Sequence, residues 1–294
     1  MEIYYFILYF FTYGFFGWCT EVAFAAFKQG KFVNRGFLNG PICPIYGVGV
    51  SVVVSFLTPL EESLILLYAA STILVTFIEW LTGYLMDKIF HHKWWDYSNQ
   101  PLNIGGYVCL LFSLIWGVAC VAIVKVIHPL IYKSLSFIPV TLGIVIAIIL
   151  AVVLFVDLYV TASGILKLNK RLDAMEKIAA ELREVSDKVG ENIYESVMDT
   201  LEFQEEKKKM LAAASSEFKE KLEAASELRE RIGAATEEQK ARIEELKKKY
   251  TELAGRSTKV SVRLMKAFPK MESRNHRELL DAMKHRLKGL SGNR

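Results

Sequence analysis

Ser63 to Phe90 reads SLILLYAASTILVTFIEWLTGYLMDKIF. The run is apolar over a length that crosses a hydrocarbon core of about 30 Å. It is broken by Thr72, Thr76, Glu79, Gly83 and Asp87, which recur at steps of three and four. That spacing keeps all five on one helix face and leaves Leu, Ile and Phe for the others. A spanning helix with one polar face is built for a bundle, so the fold class is all-α: a polytopic membrane helix bundle.

Working outward, apolar windows of the same grade lie at Ile3 to Phe27, Pro41 to Thr58, Ile104 to Ile127 and Phe137 to Leu166, giving about five spans. The second is short and rich in Gly and Pro at its start. The first opens with Glu2 rather than a basic region and has no small-residue cleavage site, so it reads as a spanning helix and not a cleaved signal.

Charge divides the chain in two. Met1 to Leu166 holds 7 Lys+Arg and 8 Asp+Glu, and the remainder holds 29 and 24. We therefore expect a transmembrane domain over 1–166 and a cytoplasmic helical, coiled-coil-like tail over 167–294. The tail's apolar residues fall at Leu168, Leu172, Met175, Ala179, Leu182, Val185 and Val189 and continue to Leu201, a stripe at helical spacing. A second stripe runs from Leu211 to Ile232, and TEEQ at Thr236 to Gln239 has the form of a capping box opening a third helix. Such seams are buried in a self-folded hairpin or by self-association through the tail, and periodicity alone does not separate the two. The chain's end, SVRLMKAFPKMESRNHRELLDAMKHRLKGL, is basic and amphipathic and suits contact with an anionic inner leaflet. Its basic charge is interleaved with acids and no recognition motif appears, so nucleic acid is not an expected partner.

The loops after the first and third spans carry Lys28, Lys31, Arg35, Lys88 and Lys93, and the tail starts with Lys167, Lys170 and Arg171. The other side offers only Lys125 and Lys133 near a loop. The positive-inside rule then puts the N-terminus outside and the tail in the cytoplasm, with the lipid bilayer as the first partner.

Three carboxylates on three different helices share one depth in the membrane half. Counted back from the nearest boundary lysine, Glu21 is about 10 Å deep, Glu79 about 13 Å and Asp157 about 15 Å. An unpaired charge at such depth costs a few kcal/mol, so these groups are expected to face a bundle interior or a wet cavity. Arg35 is the nearest cation in sequence, and with Asn34 it opens the stretch NRGFLNGPICPIYG, Asn34 to Gly47. Pro41 and Pro44 bar this stretch from ordinary helix. It reads as a turn entering the second span through a break, with Arg35 lining the mouth of a polar site made of Glu21, Asn34, Arg35, Glu79 and Asp157. Gly14 and Gly17 beside Glu21 allow close helix approach.

The second loop of this side, HHKWWDYSNQPLNIGG at His91 to Gly106, puts Trp94, Trp95 and Tyr97 where headgroup-level aromatic anchors are expected. His91 and His92 lack a second ligand pair at fixed spacing, and the four cysteines have no C-x-x-C spacing. No metal, cofactor or disulfide is expected, and the thiols read as small apolar side chains.

Taken together, Gly17-Trp18 before Glu21, the Asn34 to Gly47 block, Glu79 with Gly83, WWDYS at Trp94 to Ser98, Asn103, Cys109 and Trp116-Gly117 resemble the bacterial membrane family labelled Putative ABC-transporter type IV. KAFPKMESR at Lys266 to Arg274 is similar to the end of its longer members. The positions matching the family's motifs are Glu21, Asn34, Arg35, Gly36, Gly40, Pro41, Tyr46, Glu79, Asp96 and Asn103. The resemblance implies an inner-membrane, permease-like transporter component. The chain has no G-x-x-x-x-G-K-[ST], so an ATPase is expected as a separate subunit. Two other readings stay open: a membrane enzyme acting on a lipid or polyprenyl substrate, with Asp96, Glu21 or Glu79 as acid or base, and a scaffold that presents the tail. No nucleophile motif or metal set appears, and an enzyme is the less expected class.

Overall fold

The computed structural model describes residues 2–210, 237–256 and 258–291. The stripe from Leu211 to Ile232 and the capping box at Thr236 lie outside the described residues, as do the side chains of the first stripe beyond Glu191. The chain forms an all-α membrane helix bundle; among the described residues three short strands lie in its loops and a fourth near its end. Among the described residues four helices are long and apolar enough to cross a membrane: Ile3–Gln29, Leu64–Phe90, Leu110–Ser136 and Val140–Glu191.

The elements run as α1 (Glu2–Gln29), α2 (Pro44–Leu57), α3 (Leu64–Phe90), β1 (His92–Lys93), β2 (Asn103–Ile104), β3 (Val108–Cys109), α4 (Leu110–Ala122), α5 (His128–Ser136) and α6 (Val140–Met210). A π-helical turn, Ile123–Ile127, joins α4 to α5 without a break in the rod. A helix α7 covers 237–255, followed by α8 (Lys259–Ala267), β4 (Glu272–Ser273) and α9 (Arg277–Ser291).

The second expected span is where the structure differs. With its 3-10 end at Leu60, α2 is shorter than the four long helices. Its rise is about 25 Å, under the thickness of a typical core. Cys43 is extended, at φ −109° and ψ 98°, because Pro44 disfavours helical backbone in the residue before it. The helix therefore starts at Pro44 and not at Pro41. The fourth helix also starts late, at Leu110, since Asn103–Ile104 pairs with Val108–Cys109 as a hairpin. Its turn uses Gly105 and Gly106 at φ 63° and 77°, a region that disfavours side chains.

Helices in lipid gain little from apolar burial and associate by close packing, which small residues permit. A Cβ on Gly17 would overlap the Cβ and Cγ of Tyr46, and one on Gly47 would meet the Phe10 carbonyl, so α1 and α2 touch along glycines. Gly117 of α4 receives Thr72 of α3 in the same way. Between these pairs lies a core of Tyr9, Tyr13, Val53, Val54, Leu67, Cys120 and Val124.

By contacts the chain divides into two compact units, Met1–Lys170 with Ser257–Arg294, and Arg171–Arg256. In the second, Arg242 of α7 grips Glu181 of α6 through Nη2 at 2.5 Å and Nε at 3.1 Å. Leu172, Met175 and Leu246 are buried, and Ala179, Leu182, Val185 and Val189 are half-buried, so exposure follows the stripe. In the first unit the chain's end packs on the loops of the bundle: β4 pairs antiparallel with β1, His92 opposite Ser273 and Lys93 opposite Glu272.

Candidate functional site

Both loops read from the sequence lie at one end of the bundle, joined there by the exit of α6, where Asn169 Nδ2 donates to the Phe90 carbonyl at 2.9 Å. The first polar cluster is held between α1, the 30–43 loop and α2. Arg35 Nε lies 3.2 Å from Glu21 Oε2, and the Tyr46 hydroxyl donates to Glu21 Oε1 at 2.9 Å. Both members of the ion pair are about one-third exposed or less, at 32% and 26%. Asn34 shapes the loop beside it: Oδ1 accepts from the Trp18 indole at 2.8 Å and the Gly36 amide at 3.2 Å, and Nδ2 donates to the Asn39 carbonyl at 2.7 Å. A side chain at Gly36 would press on Trp18.

Glu79 of α3 lies near Tyr46, the phenol bonded to Glu21. Its hydrogen-bond partner is Tyr97 of the second loop, and Tyr46 lies within electrostatic reach of both Glu79 and Glu21. Tyr97 also stacks on Phe112 at 5.0 Å, and Tyr46 meets Trp116 edge-on at 5.7 Å. Burial first, then the charge of Glu79, push the Tyr97 hydroxyl above the ordinary tyrosine range, so it stays a donor. Two carboxylates, one guanidinium and two phenols thus converge from α1, α2, α3 and both loops.

Asp157 does something else. Its Oδ1 accepts from the Asn39 amide at 3.0 Å and the Asn39 side chain at 2.7 Å, and its Oδ2 accepts from the Gly40 amide at 2.6 Å. The Thr161 hydroxyl adds a bond at 3.2 Å. This carboxylate anchors the backbone of the 36–40 loop to α6, and its depth near Glu21 and Glu79 does not make it their partner. Beside it a groove of about 600 Å³ runs between Asn39, Asp157 and the wall of Val152, Val153, Val156, Val160 and Val260. The loop is held from the other side by Arg263 of α8, which donates to Asn39 Oδ1 at 3.0 Å and to the Gly36 and Phe37 carbonyls at 2.7 Å each. Pro41 is exposed at the loop's end.

In the second loop the expected aromatic anchors are packed inward. Trp94 is buried between Phe37 at 5.2 Å and Phe268 at 5.1 Å, because the chain's end covers it. Trp95 donates its indole N–H to the Tyr107 carbonyl at 2.8 Å and lies against Gly83. Asp96 shapes a turn, accepting the Ser98 amide at 3.0 Å and hydroxyl at 2.5 Å, with Lys93 at 3.6 Å. Burial works against ionisation there, but Ser98 and Lys93 hold the Asp96 carboxyl below its usual range. Asn103 closes the same turn on the Ser98 and Gln100 carbonyls. No group of three or more candidate metal ligands occurs among the described residues.

Sequence reasoning missed Arg263, Arg274, Tyr107 and Asn39. Arg274 binds Asp87, and Tyr107 donates to the same carboxylate at 2.5 Å. Asp87 was visible as the last member of the polar face of α3; its partner lay at the far end of the chain.

No curated protein and no solved structure matches the chain. A family profile does, over residues 8–162, the stretch that carries Glu21, both loops, Glu79 and Asp157. By that match over more than half its length, the chain belongs to the membrane family described as Putative ABC-transporter type IV.

Proposed function

We propose that the chain is an inner-membrane, multi-pass, permease-like component whose polar site takes the charged or hydroxylated head of a small or lipidic solute. The observation that carries this reading is the cluster in which Glu21 and Glu79, on helices expected to span, meet Arg35, Tyr46 and Tyr97. A bundle that needed only to span would avoid carboxylates at that cost. Arg35 supplies a forked donor for an anionic or hydroxyl oxygen, and Glu79, bonded to a phenol and not to a cation, supplies an acceptor. The valine-walled groove beside Asp157 is apolar enough for a hydrocarbon chain.

In this reading both loops and the chain's end lie in the cytoplasm, as the basic residues of the loops suggest. Energy for transport comes from a separate ATPase that docks there, which the family name supports. The scaffold alternative draws on the helical stripe of α6 and its ion pair to α7, with self-association through that region.

The test is affinity purification from native membranes in a mild detergent, with bound small molecules and co-eluting proteins identified by mass spectrometry. The permease reading expects a nucleotide-binding subunit and a polar-headed ligand that is lost from Arg35→Ala. A preparation with neither, from wild type and variant alike, favours the scaffold. Orientation is tested separately: a cysteine at Ser98 should stay unreactive toward an impermeant thiol reagent added outside intact cells, and labelling there would invert the topology.

A further inference from the structure

Segment 258–291 covers both loops, and its hold on them surrounds one buried imidazole. We infer that the chain's own end is a latch over the loop end of the bundle, which opens when His92 takes up a proton. That the latch regulates a solute site rests on the function proposed above; the latch itself does not.

His92 is 1% exposed, in β1, paired with Ser273 of β4. Its Nδ1 lies 2.7 Å from the Phe90 carbonyl, which only accepts, so Nδ1 carries the hydrogen. The lone pair of the neutral ring is then on Nε2, a buried atom with no hydrogen-bond partner among the described residues. A proton added at Nε2 creates a buried cation with no acceptor, which is costly.

The charged and titratable groups around the ring make this worse. Lys284 of α9, His276 before α9 and His91 all oppose a positive charge on His92. Three carboxylates of the neighbouring elements are engaged elsewhere: Asp87 with Arg274, Asp281 with Lys284 at 3.2 Å and Glu272 with Arg277 at 3.1 Å. Lys93, next in the strand, is paired with Asp96 at 3.6 Å. Burial first, partly offset by the Phe90 carbonyl, and then Lys284, His91 and His276 hold the His92 pKa below its usual value.

Two of the three opposing groups, Lys284 and His276, belong to the segment itself. Its departure removes them and opens the ring to water, so the undocked state regains an ordinary proton affinity. Docking is then at full strength above the usual histidine value of about 6.5 and weakens below it, by up to about tenfold per pH unit until the docked ring titrates too. Release takes Arg263 from Asn39, Gly36 and Phe37, and Arg274 from Asp87, so the loop that carries Arg35 loses its outer brace.

The experiment is hydrogen exchange by mass spectrometry on the full-length protein in lipid nanodiscs, at about pH 7.5 and about pH 5.5, corrected for intrinsic rates. Wild type is expected to lose protection over 91–94 and 259–291 several-fold, up to about tenfold, at the lower pH. His92→Asn keeps a side-chain N–H for the Phe90 carbonyl and does not titrate, so it should stay protected at both. To separate proton uptake from any structural effect of that substitution, the wild-type His92 ring is also titrated by NMR, and its protonation should coincide with the loss of protection. Equal wild-type protection at both pH values, or release while the His92 ring is still neutral, overturns the latch. Glu21→Gln should leave the pH response intact, so a failed solute site and a failed latch give different results.

Discussion

Arg274 and Asp87, 187 positions apart, form a two-nitrogen ion pair: Nε lies 2.9 Å from Oδ1 and 3.1 Å from Oδ2, and Nη2 lies 2.5 Å from Oδ2. The two ends differ in setting. The Asp87 side chain is 8% exposed and that of Arg274 is 48% exposed. Removing the arginine leaves a buried carboxylate with Tyr107 as its remaining donor, whereas removing the carboxylate leaves a guanidinium that water can solvate. Arg274→Ala should therefore weaken docking of the chain's end by about 2 kcal/mol, and Asp87→Asn by about 1 kcal/mol or less. Exchange protection at β1 and β4 in the purified protein checks this, and equal losses would contradict the asymmetry.

How much of this was legible depends on the range over which each interaction is encoded. The long helices are written locally, in apolar runs, and so is the break at Pro44, although its effect on the start of α2 takes the backbone of Cys43 to see. Arg35 stands close enough in sequence to Glu21 for charge and depth to suggest the pair. Asp157 was located by depth, but its partners are the amides of Asn39 and Gly40, which every residue except proline carries and no pattern marks. Arg263 was hidden because basic amphipathic helices look alike whether they meet lipid, water or a protein loop, and Arg274, between β4 and α9, because its partner stands 187 positions away. Trp94 was misread for the same reason, since Phe268, which covers it, lies far away in the chain.

The glycines give a paired prediction. Gly17→Ala drives a methyl group into the Cβ and Cγ of Tyr46, atoms that cannot swing away without moving α2. A cost of about 1–3 kcal/mol is expected, with Tyr46 displaced from Glu21. At Gly190, in α6, no described atom lies within 4 Å of the place a methyl group would take. Gly190→Ala should raise helix stability by about 0.5–1 kcal/mol. Thermal unfolding of the two detergent-solubilised variants should shift in opposite directions.

Asp157 tests whether the 36–40 loop is anchored by charge or by acceptor geometry. Both oxygens face backbone N–H groups, Asn39 on Oδ1 and Gly40 on Oδ2. An amide offers one acceptor and turns two N–H donors on the other amide. Asp157→Asn should therefore lose nearly as much as Asp157→Ala, about 1–3 kcal/mol, and loosen the loop. Proteolysis at the 36–41 loop of the full-length protein measures this; an Asn variant as resistant as wild type would show that the carboxylate is not the anchor.

Glu21 should behave differently, because its partners are a side-chain cation and a hydroxyl. The Tyr46 hydroxyl donates to Glu21 in the wild type, but it also accepts, so in Glu21→Gln it can rotate and receive the new N–H while the remaining oxygen keeps Arg35. The amide substitution is then mild for folding. Arg35→Ala is not, since it strands a carboxylate inside the membrane half with a phenol alone, and Glu21→Ala strands Arg35 in the same way. The expected order of loss in monodisperse yield after detergent extraction is Arg35→Ala and Glu21→Ala well below Glu21→Gln, with the double variant Glu21→Ala/Arg35→Ala above either single alanine. Glu62→Gln, in the turn at the opposite end of the bundle, should match wild type. If the double variant falls to the sum of the two single losses, the residues act independently, and the polar site loses its defining pair.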